Sequence, residues 1–258
     1  GINTLTIQKI SRASAEQRAG RAGRLGPGIA VRLWAEREHL HRAESELPEI
    51  SRLELSEALL ALHVASDKAR LEIEWFEKPA EAGLKRAESL LHDLGAIAEG
   101  RLTAVGLKMS AFPTHPRFAR MLLAAGENGC VREAAMCAAL AQGREILMVG
   151  KNNSSFKNED FWEPGDLSEF QALLRAFIRA DALNFDPQAC APLNIHAMSA
   201  REAARSYDQF LRLSQRAGLT VNDEVAAPEA LAKTLLAAFS DHLGVETSSG
   251  SRIYRVAG

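Results

Sequence analysis

Cysteine is scarce in this sequence, which argues against a scaffold built on disulfides. The 258 residues include three cysteines, at positions 130, 137 and 190. They form no CxxC pair and have no histidine at a zinc-binding spacing. We therefore predict structural, reduced thiols. An odd number of reduced cysteines is typical of a cytoplasmic protein, and we expect that location.

Long apolar runs are missing as well. No stretch reaches the roughly 18 consecutive apolar residues that a membrane-spanning helix requires. The first residues are charged and lack the pattern of a signal peptide. We therefore expect no membrane partner. The chain opens on Gly1 with a segment patterned as a strand, and we expect it to be a portion of a longer polypeptide.

The motifs of a self-sufficient catalyst are also absent. There is no GxSxG elbow of a serine hydrolase, and the seven histidines show no metal-binding spacing, so we predict no metal site. A phosphate-binding loop of the form GxxxxGK(S/T) is missing too. Gly150-Lys151 is followed by Asn152 and has no glycine five positions earlier. These residues alone therefore lack a cradle for nucleotide phosphates.

Composition indicates an ordinary globular protein whose charge is unevenly distributed. Hydrophobic residues make up 47% of the chain and charged residues 25%, with a formal net charge of −2. Residues 1–40 contain 7 Lys and Arg against 3 Asp and Glu, so the remainder contains 24 against 30. A protein that bound nucleic acid through bulk electrostatics would be more basic, so any such contact must be local.

The most informative segment is Gln17-Arg18-Ala19-Gly20-Arg21-Ala22-Gly23-Arg24. Its glycines allow a ligand to approach the backbone closely, and its arginines offer forked donors that match phosphate oxygens. Arg21 and Arg24 are three residues apart, so a helix places both on the same side. Taken alone, the segment fits a solvated basic loop, or a stretch that follows a nucleic-acid backbone, as well as it fits a phosphate-binding site.

The flanks of this segment carry a resemblance to a known family. Ile10-Ser11-Arg12-Ala13-Ser14 precedes it, and Pro27-Gly28 and Arg32-Leu33-Trp34 follow it. This order resembles the end of the second RecA-like domain of the DEAH-box (DEAH/RHA) ATP-dependent helicases. There a strand ending in ISxAS leads into motif VI, QRxGRxGR, and a PGxxxRLY-like strand comes next.

The resemblance continues through most of the chain. The segments 91–97, 102–106, 113–123 and 129–134 are similar to the family's LxxLGAL, LTxxG, PxxPRxxxML and GCxxEA segments. The tail over residues 235–258 is most similar to bacterial HrpB-type members. The implied fold is mainly α with small β elements. Its implied domains are 1–45 (end of the second RecA-like domain), 46–108 (winged helix), 109–217 (helical ratchet bundle) and 218–258 (linker helix and start of an OB-like barrel).

Hydrophobic patterning provides expectations that are independent of the resemblance. Alternation predicts strands over residues 4–10 and 29–34, with Ser14 as the N-cap of a helix between them. Residues 35–50 are expected to be a solvated connection, and 151–160 a polar loop. A two-strand wing is predicted at 96–103, around Glu99-Gly100. Further helices are predicted from Leu84 to Leu94, from Thr114 to about Gly126, from Val131 to Gln142, from Leu167 to Ile178, from Ser199 and from Pro228.

Roles for the motif residues are implied by the resemblance. Arg21 and Arg24 would be arginine fingers on the γ-phosphate of ATP, and Gln17 would orient the attacking water or contact that phosphate. Arg18 would support the helix or a domain interface. Gly20, like the second motif glycine, would permit close packing. The candidates for nucleotide binding are Gln17, Arg18, Gly20, Arg21 and Arg24.

The resemblance also implies cofactors and partners. ATP would be shared with a first RecA-like domain, and the ligands of Mg²⁺ are expected upstream of Gly1. The expected nucleic acid is RNA rather than DNA, along a channel floored by the ratchet bundle. A second reading stays open, namely a non-catalytic nucleic-acid-binding or adaptor module built from a winged helix and a helical bundle.

Overall fold

The computed structural model describes residues 8–66, 74–148, 161–166, 168–246 and 254–256. Most of the strand predicted over residues 4–10 and all of the loop predicted over 151–160 lie outside these ranges, as does Leu167. The described part is mainly helical with a few short strands, as the sequence predicts.

In the described ranges, helices follow one another along the chain, interrupted by two small hairpins. Three 3₁₀ turns in the same ranges, Arg21–Gly23, Ala191–Leu193 and Ser240–His242, extend or connect them. The elements are α1 (Arg12–Gly20), α2 (Glu36–Leu40), α3 (Glu49–Arg52), α4 (Ser56–Ala65), α5 (Glu81–Asp93), β1 (Ile97–Ala98), β2 (Arg101–Leu102), α6 (Ala104–Met109), α7 (Pro116–Asn128), α8 (Val131–Gln142), α9 (Glu169–Ala182), α10 (Pro187–Cys190), α11 (Ala197–Arg216), α12 (Pro228–Phe239), β3 (Gly244–Glu246) and β4 (Tyr254–Val256).

Within the described residues, two hydrophobic cores hold helices α4 to α12 together. The larger core is continuous from α4 to α8 and also includes residues of α11 and α12. The smaller core lies between α8, α9, α10 and α11. Because α8 contributes residues to both cores, this helix forms one side of each. Fully buried side chains of the larger core include Leu91, Met109, Phe118, Met121 and Leu122, and those of the smaller core include Ile146 and Ile195.

The predicted wing is confirmed. Ile97 pairs with Leu102 and Ala98 with Arg101 in an antiparallel hairpin. Glu99 and Gly100 form its turn with φ values of 51° and 75°, the left-handed conformation that two-residue hairpin turns require. Each strand is one residue shorter than predicted.

Close approach of α6 to the wing explains the glycine of the LTAVG segment. Thr103 is the N-cap of α6, and its hydroxyl accepts a hydrogen bond from the Gly106 N–H at 3.0 Å. A Cβ on Gly106 would lie 2.1 Å from the Ala96 carbonyl oxygen. The helix can pack here only without a side chain at this position.

Two helices of the bundle, α7 and α11, start at residues other than those predicted. The N-cap of α7 is His115 rather than Thr114, and its Nδ1 accepts a hydrogen bond from the Arg117 N–H at 3.3 Å. Helix α11 begins at Ala197 with His196 as its N-cap, and Ser199 donates its N–H to the His196 Nδ1. In both cases an imidazole nitrogen performs the role that propensity assigns to a hydroxyl.

A buried ion pair fixes the C-terminal end of α12 against α7. The Arg117 side chain is 4% exposed and donates to both carboxylate oxygens of Asp241, at 2.7 and 2.5 Å. It also donates to the Ala238 carbonyl oxygen at 2.7 Å, and its guanidinium lies 5.3 Å from the Phe239 ring centroid. The charge is therefore neutralised and the two Nη atoms have acceptors, whereas the buried Nε has no hydrogen-bond partner among the described residues.

A second polar contact joins the α3–α4 connection to the same end of α7. Glu54 accepts hydrogen bonds from the His115 Nε2 at 3.2 Å and from the N–H and hydroxyl of Ser56. Burial alone would raise the pKa of Glu54, but these hydrogen bonds outweigh it and hold the pKa below its usual value. The larger core is thus closed by ionised carboxylates at this end.

Replacing Asp241 should destabilise the chain in a pH-dependent way. Hydrogen bonds from Arg117 lower the pKa of Asp241. Its stabilisation is therefore present at neutral pH and is lost as the pH falls below about 4, toward the depressed folded-state pKa. Asp241→Ala should lower the unfolding free energy at pH 7 by about 3 kcal/mol because it leaves a buried guanidinium unpaired. Chemical denaturation at pH 7 and pH 3 measures both effects.

Asp223 provides the matched control. It pairs with Arg132 but is 92% exposed, so Asp223→Ala should cost less than about 1 kcal/mol. Equal losses in the two variants, or a loss from Asp241→Ala that does not diminish at pH 3, would contradict the assignment of a buried ion pair.

Candidate functional site

The arginine-rich segment forms one continuous helical run. Helix α1 ends at Gly20, the 3₁₀ turn Arg21–Gly23 follows directly, and Arg24 keeps helical angles, with φ −66° and ψ −34°. Gln17, Arg21 and Arg24 are spaced by four and three residues, so they project from the same side. The structure therefore brings these three predicted residues together, with Arg18 on the adjoining side.

All the predicted site residues are exposed. Gln17, Arg18, Gly20, Arg21 and Arg24 each lie at the surface. Within the described residues, no ion pair or hydrogen bond engages the three guanidinium groups. The Cβ atom that Gly20 lacks would meet nothing within 4 Å, and the same holds for the second motif glycine. The side chains are thus free to contact a group outside the described chain.

The start of this helix differs from the prediction. Ser14 lies inside α1, and the N-cap is Ser11, whose hydroxyl accepts the Ser14 N–H at 3.1 Å. The N–H groups of Arg12 and Ala13 have partners farther along the chain, the carbonyl oxygens of residues 43 and 44, at 2.8 and 3.0 Å. The helix therefore starts earlier than predicted because another segment satisfies its first donors.

The strand predicted over residues 29–34 is not present. This segment pairs with no strand in the described ranges, and its alternating side chains Ile29, Val31 and Leu33 are 90%, 78% and 90% exposed. Alternation predicts a strand only if a neighbouring strand supplies hydrogen bonds, and none is in place here. The described residues form no RecA-like sheet, so that part of the fold stays a prediction.

Gly28 permits the one close approach in this region that a side chain would block. A Cβ at this position would lie 2.0 Å from the Ala22 carbonyl oxygen. The chain after the motif therefore folds back directly over the 3₁₀ turn. Close packing was predicted for the glycines within the motif, but here it depends on the glycine that follows it.

Arg42 is a residue whose contacts the sequence did not reveal. Residues 35–50 were expected to be solvated, yet they include α2, and the Arg42 side chain is 8% exposed. Its Nη1 donates to the Ile10 carbonyl oxygen and its Nη2 to the Glu38 carboxylate, both at 3.0 Å. Its guanidinium lies 4.2 Å from the Trp34 ring centroid. The i,i+4 pair with Glu38 is the signal that could have identified it.

A row of arginines on α11 is a second candidate site. Arg205, Arg212 and Arg216 follow Arg201 by four, eleven and fifteen residues, spacings that return to one side of an α-helix. All four are exposed, as is Asp208 in the same row. The row extends over about 22 Å of the helix axis. Arg201 also makes long contacts, 3.4 and 3.5 Å, to the carbonyl oxygens of residues 184 and 185.

Core packing fixes the orientation of this row. Ala203, Phe210 and Ser214 are buried on the side of α11 that faces the cores. The arginines consequently project away from the packed side. Their charge stands out against the acidic remainder of the chain, which gives this face a local positive potential.

Cysteine chemistry offers no further site. Cys130 and Cys137 are buried, as predicted, and Cys190 is buried as well; none of the three forms a disulfide. Burial raises the pKa of each of these thiols, which disfavours the nucleophilic thiolate. Among the described residues, no three His, Cys, Asp or Glu side chains are grouped so that they could hold a metal ion. None of the helices in the described ranges is both long enough and apolar enough to cross a membrane.

Comparison with known families identifies two domains in this chain. The winged-helix part of the helicase-associated domain (HA2) matches residues 87–114, and its ratchet-like part matches residues 115–216. Together the matches cover half of the chain. The predicted winged helix and ratchet bundle fit both the matches and the structure. The OB-like barrel stays a prediction, since the described part of the tail shows only the hairpin β3–β4.

Three curated proteins illustrate the similarity. The ATP-dependent RNA helicase HrpA of Escherichia coli is 30% identical over 95% of this chain, and HrpB of the same organism is 33% identical over 92%. A probable ATP-dependent RNA helicase of Caenorhabditis elegans, the DHX35 homolog, is 36% identical over 58%. The matched parts represent 20%, 29% and 21% of those proteins, so the chain spans less than a third of their length.

A solved structure agrees with these relatives. The crystal structure of the E. coli DExH-box NTPase HrpB matches 96% of this chain at 27% sequence identity, with a TM-score of 0.54. The match covers 25% of that chain.

Proposed function

This chain belongs to the DEAH-box helicases and corresponds to their C-terminal, helicase-associated region, and we propose that it contributes one half of an ATP-hydrolysing site and part of the path for RNA. The carrying observation is the pair of exposed guanidinium groups of Arg21 and Arg24, which no other described residue engages, on one side of a continuous helical run.

The chemistry of phosphoryl transfer supports this role for the two arginines. Negative charge spreads over the oxygens of the transferring group, and a guanidinium placed there stabilises it without reorganisation. Arg21 and Arg24 can approach one phosphate group from the same side because a helical turn separates them. Gln17, one turn earlier, is placed to orient a water molecule beside them.

The remaining motif residues have supporting parts in this proposal. Arg18 lies beside the side of the helix that carries Arg21 and Arg24, and it would support the helix at an interface with another domain. Gly20 leaves open space at the surface, so a phosphate could approach its backbone. The residues fit the phosphate end of ATP. They do not fit Mg²⁺, since the described residues provide no cluster of carboxylates, and we propose that its ligands come from the first RecA-like domain.

The arginine row on α11 is our proposal for the part of the ratchet bundle that contacts RNA. Single strands are bound through their phosphates, and a row of exposed cations about 22 Å long could follow several of them. RNA is proposed because the curated relatives are described as RNA helicases. A cytoplasmic location is proposed because the three buried cysteines are all unpaired.

Alanine variants of the natural, complete protein test the arginine fingers. Arg21→Ala and Arg24→Ala should each lower kcat for ATP by at least about 10³-fold because each removes charge stabilisation of the transition state. Arg37→Ala, at an exposed arginine of α2, is the control and should leave kcat unchanged. Turnover is measured with saturating RNA. If both finger variants keep near-normal turnover, the non-catalytic adaptor module is the better interpretation.

The isolated 258-residue chain should hydrolyse no ATP. It has no phosphate-binding loop, so the charge of its arginines has no bound substrate to act on. Phosphate release by the purified chain and by an identically purified Arg21→Ala variant checks this. Activity present in the first and absent from the second would contradict the expectation, whereas equal traces would indicate a contaminant.

Glutamine substitutions on α11 test the RNA contact. The double variant Arg205→Gln/Arg212→Gln should weaken binding of single-stranded RNA and reduce the slope of log K against log salt by about 1.4, two phosphate contacts at about 0.7 each. Lys85→Gln/Lys108→Gln removes the same charge from exposed positions on the winged helix and should leave the slope unchanged. Equal effects in both pairs, measured by fluorescence anisotropy, would show bulk charge rather than a site.

A further inference from the structure

The helix that carries the arginine fingers has little hydrophobic support. Within α1, all of whose residues are described, only Ala15 is buried. Its neighbour Ser11 is buried as the N-cap. Neither residue belongs to the two cores. Among the described residues, the position of this helix therefore depends mainly on polar contacts at its N-terminal end.

Those contacts converge on residues 42–44. Ala43 and Glu44 accept the first two N–H groups of α1, from Arg12 and Ala13, at 2.8 and 3.0 Å. Arg42 donates to the carbonyl oxygen of the residue that precedes the N-cap, at 3.0 Å. Residues 42–44 therefore make hydrogen bonds to the backbone on both sides of the N-cap of α1.

The Arg42 side chain is itself held rigidly. Glu38 accepts its second Nη at 3.0 Å, and the Trp34 ring lies under the guanidinium at 4.2 Å. Lys9 reaches the same Glu38 oxygen at 3.2 Å from the other side, but its side chain is exposed. A charge-assisted hydrogen bond from a nearly buried guanidinium is stronger and more directional than one from an exposed lysine.

We propose that Arg42 is the positioning residue for the arginine fingers and sets the direction of α1 through the Ile10 carbonyl group and the adjoining backbone of residues 43 and 44. The inference rests on the function proposed above. Arg21 lies nine residues beyond Arg12, about 13.5 Å along the helix axis. A small tilt at the N-terminal end of α1 therefore displaces the fingers by about 1 Å, and a displacement of that size can cost about 10²-fold in rate.

The test compares substitutions in the natural, complete protein. Arg42→Ala should lower kcat for ATP by between about 10- and 100-fold, while KM for ATP and the Kd for RNA stay within about twofold. Arg42→Lys, which retains charge and one donor, should restore part of the loss. Arg37→Ala, five residues earlier and on the surface, should behave as the unmodified protein. A structural role alone would not separate kcat from KM in this way.

A multiple variant separates positioning from an independent effect. Arg21→Ala/Arg24→Ala/Arg42→Ala should be no slower than Arg21→Ala/Arg24→Ala, because Arg42 acts only through the two fingers, which are already gone. Additive losses would overturn the inference, as would Arg42→Ala kinetics equal to those of Arg37→Ala. If Arg21→Ala itself keeps normal turnover, the proposed function fails instead.

Glu38→Gln covers the case in which Arg42→Ala does not fold. Glutamine keeps the shape and one acceptor but removes the charge, so this variant should fold and show a smaller decrease of kcat, about three- to tenfold. Normal turnover by Glu38→Gln, with an unchanged thermal transition, would overturn the inference on its own.

Discussion

Complete burial of Phe118 on α7 is the constraint on which most of this structure depends. Its ring lies 6.3 Å from those of Phe210 and Phe239, so it joins α7 to α11 and α12 at one point. The neighbouring Arg117 is buried as well, and Asp241 neutralises its charge. The aromatic contacts and the ion pair together fix where the chain after α12 passes.

The arginine-bearing segment is held by a different kind of force. It lies outside both cores and is located by charge-assisted hydrogen bonds around Arg42 and by backbone contacts at the start of α1. Hydrophobic contacts are non-directional, whereas hydrogen bonds fix direction. A segment whose task is to aim two guanidinium groups benefits from the second kind. Its exposed apolar side chains Ile29, Val31 and Leu33 show that burial does not locate it within the described residues.

The sequence predicts elements well where a strong local signal and the core agree. The helix α5 and its terminal Gly95 were predictable, as were α8 and the wing around Glu99-Gly100, because periodicity and turn chemistry point the same way. Caps were less predictable, since Ser11 and Ser14 are equally good by type and only distant carbonyl groups select the first. The strand at 29–34 failed because pairing is a long-range property.

The candidate site divides along the same line. The motif residues could be identified from their type and order, and the arginine row on α11 could have been found from its spacing alone. Of the Arg42 contacts, only the i,i+4 pair with Glu38 could be anticipated, because the other partners are Ile10, 32 residues away, and a tryptophan ring whose position depends on the fold. Periodicity predicts which side of a helix is buried. It cannot predict which distant segment of the chain will form hydrogen bonds with an exposed one.

Helix α8 connects the two parts of the bundle physically. Val131, Ala134 and Ala138 face the larger core, while Met136 and Leu140 face the smaller one that contains α11. Alanines allow the helices on both sides to approach closely, so α11 cannot slide past α7 without opening space at both surfaces. Under the proposed function, the arginine row would then move together with the wing and α12 as one body. ATP-driven motion would reach the RNA as displacement of that body rather than as deformation within it.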